Sequence, residues 1–160
     1  MSTVVGQRRI SDTPANRALQ AYIHAEELAR HTIVCCANTT IFKEEYKCVL
    51  TDRIVDAAIE IMTAVGEAND IRVTSIEERD ERLRLQRLAL RRLKSLPRML
   101  SIAKRLSPSK FRGRKLIYWV GLVEKTRELT NKWHESDVKR YSEESQPGAV
   151  HVPGEEEGVG

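Results

Sequence analysis

Between Ala15 and Tyr141 the chain has only three glycines, Gly66, Gly113 and Gly121, and two prolines, Pro97 and Pro108. The two residue types that most readily end a helix are thus nearly missing over that stretch, and helices are expected to fill it. Strands have little support. The one β-branched cluster, Ile71 to Thr74, is short and lies between two helical patterns. At 160 residues the chain has the size of a single domain.

Caps and periodicity place four helices. The first is expected to open at Thr13-Pro14, a capping hydroxyl followed by a proline suited to the first helical position, and to end near Asn38 to Thr40. Its apolar residues include Leu19, Tyr22, Ile23, Leu28, Ile33 and Val34. A second, from about Tyr46 to Asn69, carries Leu50, Ile54, Ala58, Ile61 and Val65 at the 3-and-4 spacing of one buried stripe, with Asp52, Asp56, Glu60 and Glu67 opposite. The third opens with the capping-box pattern Ser75-Ile-Glu-Glu78 and runs to about Leu106. Pro97 lies inside it and is expected to kink it near Leu93 to Leu96. The fourth is expected to start after Ser107-Pro108 and to bury Trp119 and Trp133. Short connections favour antiparallel neighbours, so the expected fold is all-α: an antiparallel up-down four-helix bundle over residues 13–141. Residues 1–12 lack periodicity and are expected to be flexible; 142–160, rich in Gly, Pro and acid, are expected to form a disordered tail.

Charge is distributed far less evenly than the net value of +4 implies. From Arg82 to Val123 there are thirteen Lys or Arg and no acid, whereas residues 42–81 and 142–160 are acidic. On a wheel of roughly 100° per residue, Arg84, Arg87, Arg91, Lys94, Arg98 and Arg105 form a stripe opposite the leucines of the third helix, and Lys110, Arg112, Arg114 and Lys115 extend it. A face that only keeps a bundle soluble interleaves both signs. This one is acid-free and mostly Arg, whose planar fork suits phosphate. Contact with nucleic acid through counterion release is therefore expected, with affinity steeply dependent on salt and little dependent on sequence.

Support for catalysis is slight. There is no glycine-rich phosphate loop, no nucleophile elbow and no strong metal-ligand spacing, so no cofactor and no enzymatic activity are expected. His24, His31 and Cys35 could share a face of the first helix, but without an evident fourth ligand packing is the expected role. Cys35, Cys36 and Cys48 do not make a disulfide framework, which points to a reducing compartment such as the cytoplasm. No apolar run approaches the roughly 18 residues of a membrane span, and no membrane contact is expected.

The stretch Phe42-Lys-Glu-Glu-Tyr-Lys-Cys-Val-Leu-Thr-Asp-Arg-Ile54, followed by Ala58-Ile-Glu-Ile, Glu67-Ala-Asn69, Gln86-Arg-Leu-Ala-Leu-Arg-Arg-Leu93 and the late Trp133, resembles the accessory variability determinant (Avd) family of diversity-generating retroelements over about residues 15–137. The resemblance implies a four-helix bundle that assembles into a ring-like homopentamer. It also implies binding to a reverse transcriptase and, through a basic surface, to template RNA and cDNA in mutagenic reverse transcription. A sister group encoded in intervening sequences of ribosomal RNA genes has the same bundle and is one alternative. A protein-only scaffold, whose basic face docks an acidic partner, is another.

Overall fold

The computed structural model describes residues 12–144. Four α-helices make up most of them, and there is no strand among the described residues: α1 is Pro14–Cys36, α2 Asp52–Asp70, α3 Ile76–Leu106 and α4 Arg114–Glu144. Thr13 caps α1 by accepting the Asn16 amide at 3.2 Å, with Pro14 in the first turn, as the sequence predicts. α1 ends at Cys36, slightly earlier than expected. A 3-10 turn, Glu44–Tyr46, and a π turn, Lys47–Thr51, then lead into α2. Ser75 accepts the Glu78 amide at 3.1 Å to start α3. The Glu78 carboxylate in turn gathers the Thr74 and Ser75 hydroxyls and the Thr74 amide, which hold it below the usual carboxylate range.

The fourth helix begins later than expected. Ser107 does not cap it: its amide closes α3 on the Ala103 carbonyl, and its hydroxyl donates to the Ile41 carbonyl at 3.0 Å. The chain turns through residues 107–113 before Arg114, with Gly113 at φ 95°, a backbone region that a side chain makes costly. At its other end α4 continues through residues 142–144, which the sequence assigned to the tail. The expectations for residues 1–11 and 145–160 lie outside the described residues.

Contacts between helices show what lies against what. Arg82, early in α3, meets Asp137, late in α4. Arg92 meets Glu60 across α3 and α2, and Arg17 meets Ser136 across α1 and α4. The turns that follow α1 and α3 lie together. Phe42 from the first stacks edge-on against Phe111 from the second, with ring centroids 5.4 Å apart, and both lean on Trp119. This aromatic cluster fixes the basic 107–113 turn to the bundle.

The core combines bulky and small residues. Leu93, Leu96, Ile54, Ile61, Trp119 and Trp133 are fully buried, so both tryptophans belong to the core as expected. α1 contributes Ala18, Ala21, Ala25, Ala29 and Leu28, and small side chains of this kind let helix backbones approach. At Gly66 an added Cβ would sit 3.1 Å from the Tyr22 ring, so the glycine makes room for that side chain. α1 thus faces inward differently from the apolar pattern read in its sequence. Leu28 is buried and Tyr22 half-buried, but Leu19, Ile23, Ile33 and Val34 are exposed. No helix among the described residues is long and apolar enough to cross a membrane.

Candidate nucleic-acid interface

α3 turns its buried side, Leu85, Ala89, Leu93, Leu96, Leu100 and Ala103, toward the other helices. Arg87, Arg91, Lys94, Arg98 and Arg105 therefore come out on the opposite side, exposed and without an ion pair among the described residues. From Arg87 to Arg105 the stripe runs about 27 Å at 1.5 Å per residue. Lys110 and Arg112 on the turn, and Arg114 and Lys115 in the first turn of α4, are also exposed and free of ion pairs there. With no acid in that first turn, the unpaired amides at the helix start add positive potential to four cations.

Three arginines of the acid-free block behave otherwise. Arg84 is exposed but engaged with Glu81 through both of its fork nitrogens at 2.7 and 2.8 Å, a contact that lowers the Glu81 pKa. Arg92 donates to Glu60 of α2 at 2.6 Å. Arg82 is not on the surface. Its Nε donates to the fully buried Asp137 at 2.7 Å, its Nη1 to the Ile71 carbonyl at 3.0 Å, and its guanidinium lies 5.2 Å from the Trp133 ring centroid. The block that reads as uniformly unbalanced in sequence is thus partly neutralised, Arg82 and Arg92 by acids distant in the chain and Arg84 by Glu81 at its edge. Lys104, which the sequence reading left out, is exposed and free of ion pairs among the described residues.

Asp137 also accepts from Gln86 Nε2 at 2.7 Å and Arg140 Nη2 at 3.1 Å. Gln86 Oε1 lies 2.7 Å from His134 Nδ1, which must donate because an amide oxygen can only accept. Burial, and then the nearby Arg87 charge, lower the His134 pKa. The folded protein therefore takes up this proton less readily than the unfolded chain. Stability should fall as pH drops below the ordinary histidine value near 6.5. Melting temperatures at pH 7.5 and 5.5 should differ, and His134→Gln, which keeps a donor toward Gln86, should reduce the difference; an unchanged slope would refute the role of this side chain.

The residues considered as metal ligands are only partly brought together. His31 Nε2 lies 3.3 Å from Cys35 Sγ and 3.2 Å from the Lys115 carbonyl, whereas His24 Nδ1 turns to the Gln20 carbonyl of its own helix. Cys36 is buried, with its thiol pKa pushed up to about 12 by desolvation, and Cys48 is exposed. No group of three His, Cys, Asp or Glu side chains among the described residues is arranged to hold a metal ion.

Sequence reading also missed an apolar face. Leu19 and Ile23 are each 47% exposed on α1, and Val34 is 56% exposed at its end. Near the start of α4, Ile117 and Tyr118 are exposed as well, and the Tyr118 hydroxyl donates to Glu27 at 3.2 Å. Leu19, Ile23 and Val34 lie away from the side of α1 that buries its alanines and Leu28, a division that hydrophobic periodicity does not reveal. Comparison with protein-family models, with curated proteins and with solved structures finds no match to this chain.

Proposed function

We propose that this protein is a non-enzymatic, nucleic-acid-binding accessory protein that acts beside a reverse transcriptase, holding template RNA or cDNA on the outer face of α3 and the turn after it. One observation carries the proposal: Arg87, Arg91, Lys94, Arg98 and Arg105 share one exposed stripe with no acidic partner among the described residues. The class of partner enzyme and the retroelement setting come from the likeness of Phe42 to Trp133 to the Avd family. The bundle is read as up-and-down, since the starts of α1 and α3 meet the end of α4 through Arg17–Ser136 and Arg82–Asp137, and the start of α3 meets the end of α2 through Arg82 and the Ile71 carbonyl. Leu19 and Ile23 near one end of α1, and Ile33 and Val34 at the other, with the Arg30–Glu27 pair between them, favour self-association, because exposed apolar side chains rimmed by charge are the kind of surface that subunits bury. A closed ring of five copies would accommodate it.

A salt titration tests the binding. With about six phosphates neutralised on a single strand, the affinity for a labelled RNA should fall with a log–log slope near −4, about 300-fold between 50 and 200 mM salt. The same slope should be found with RNAs of unrelated sequence. A flat salt response, or a marked preference among sequences, would argue against it.

A further inference from the structure

The turns that follow α1 and α3 enclose a recess that phosphate contact alone leaves unexplained. Cys35, Ile41, Phe42, Phe111, Leu116 and Trp119 line a hollow of about 290 Å³, near the lower end of the roughly 300–1,000 Å³ of small-molecule sites. Its floor is braced: Phe42, Phe111 and Trp119 pack on one another with ring centroids 5.4–6.1 Å apart, and the Ser107 hydroxyl ties the second turn to the Ile41 carbonyl of the first. Lys110, Arg112, Arg114 and Lys115 belong to the same lining, all four exposed, and no Asp or Glu does. Hollows elsewhere between the helices differ in this respect. The one along α1 and α4 has Asp12 and Glu135 in its walls, and both of those between α3 and α4 have Glu124.

An apolar floor beneath a purely cationic rim fits a nucleotide, whose base has apolar faces and whose phosphate is an anion. A plain polyanion would use the rim and leave the floor uncovered. Guanidinium groups serve both halves of such a ligand, since they fork to phosphate and lie flat on bases. The stripe on α3 ends at Arg105 and the turn bearing Lys110 and Arg112 follows directly, so one strand can meet both. We propose that the recess takes one unpaired base of a bound single strand, with the phosphates beside that base held by Lys110, Arg112, Arg114 and Lys115. A base within a duplex is stacked and paired and enters only at a cost, so the recess favours single strands. Any of the four bases offers an apolar face, and binding stays tolerant of sequence.

Strand selection rests on the proposed nucleic-acid binding; occupancy of the recess by a nucleotide does not, and the test separates them. Cys35 is half-buried in the wall of the recess, Cys48 is exposed elsewhere, and Cys36 is buried with its thiol pushed up to about 12. Alkylation of the full chain by iodoacetamide at mildly alkaline pH, read by mass spectrometry, therefore reports on the recess, with Cys48 as internal reference. Adenosine 5′-monophosphate, at ten times the concentration that gives half protection, should slow Cys35 about tenfold and leave Cys48 unchanged. Ribose 5-phosphate, with the same phosphate and no base, should protect far less. A short single-stranded DNA should protect Cys35 too, and should bind about tenfold more tightly than a strand with as many phosphates on abasic spacers, the size of one base contact. If Cys35 stays reactive with nucleotide and strand present, the recess is refuted whatever the affinities, and salt-dependent strand binding leaves the α3 contact standing. Equal protection by ribose 5-phosphate makes this a phosphate site and overturns the base. Protection by the mononucleotide in a protein that binds no strand keeps the nucleotide site and refutes the strand reading.

Discussion

Replacing Asp137 with alanine should destabilise the protein by about 3–5 kcal/mol, the range seen when one member of a buried ion pair is removed. The carboxylate is fully buried and accepts from three side chains: Arg82 and Gln86 of α3, and Arg140 one turn further along α4. Without it, Arg82 remains a cation among Trp133 and the end of α2, held by the Ile71 carbonyl. For a chain of this length a loss of that size lowers Tm by about 10–20 °C. Chemical unfolding of Asp137→Ala, read as a midpoint shift at constant m, measures it. A paired replacement, Arg82→Met with Asp137→Leu, leaves no stranded charge and should recover most of the loss. A single-variant loss below about 1 kcal/mol would mean that water reaches Arg82 and that the network is peripheral.

That network also marks where sequence reading stopped. Helix positions were legible because breakers are scarce and two starts carry local caps, Thr13-Pro14 and Ser75 with Glu78. The start of α4 was not. Ser107-Pro108 has the composition of a cap, but the hydroxyl that would cap α4 bonds to Ile41, 66 residues earlier in the chain. Arg82 and Arg92 looked like surface cations because their acids stand 55 and 32 residues away, beyond the reach of any local pattern. α1 was misleading for a different reason. Its core side is made of Ala18, Ala21, Ala25 and Ala29 with Leu28, so Leu19, Ile23, Ile33 and Val34 are left on the outer surface. The basic stripe itself was legible as a face because its residues recur with the helical period, and periodicity is local information.

The charge-reversal pair Arg87→Glu with Arg91→Glu should have the largest effect on binding. The two guanidiniums stand one turn apart near the middle of the exposed side of α3, and neither forms an ion pair among the described residues. Each reversal changes the local charge by two units. At about 1 kcal/mol per contact in water, two lost attractions and two new repulsions come to about 2–4 kcal/mol, a 30- to 900-fold loss of RNA affinity. The log–log salt slope should also shrink by at least about 1.4, two contacts' worth. Helicity should survive, since the buried Leu85, Ala89 and Leu93 are untouched. Arg92→Gln is the informative control: it lies in the same run of cations but is paired with Glu60, and it should leave both affinity and slope nearly unchanged. If Arg92→Gln weakened binding as much as the reversal did, net charge and not the α3 face would be what nucleic acid recognises. If the reversal had no effect, the stripe would not be the binding surface. Arg87→Glu would also replace the positive charge near His134 with a negative one, so the low-pH instability attributed to that histidine should lessen in the same variant.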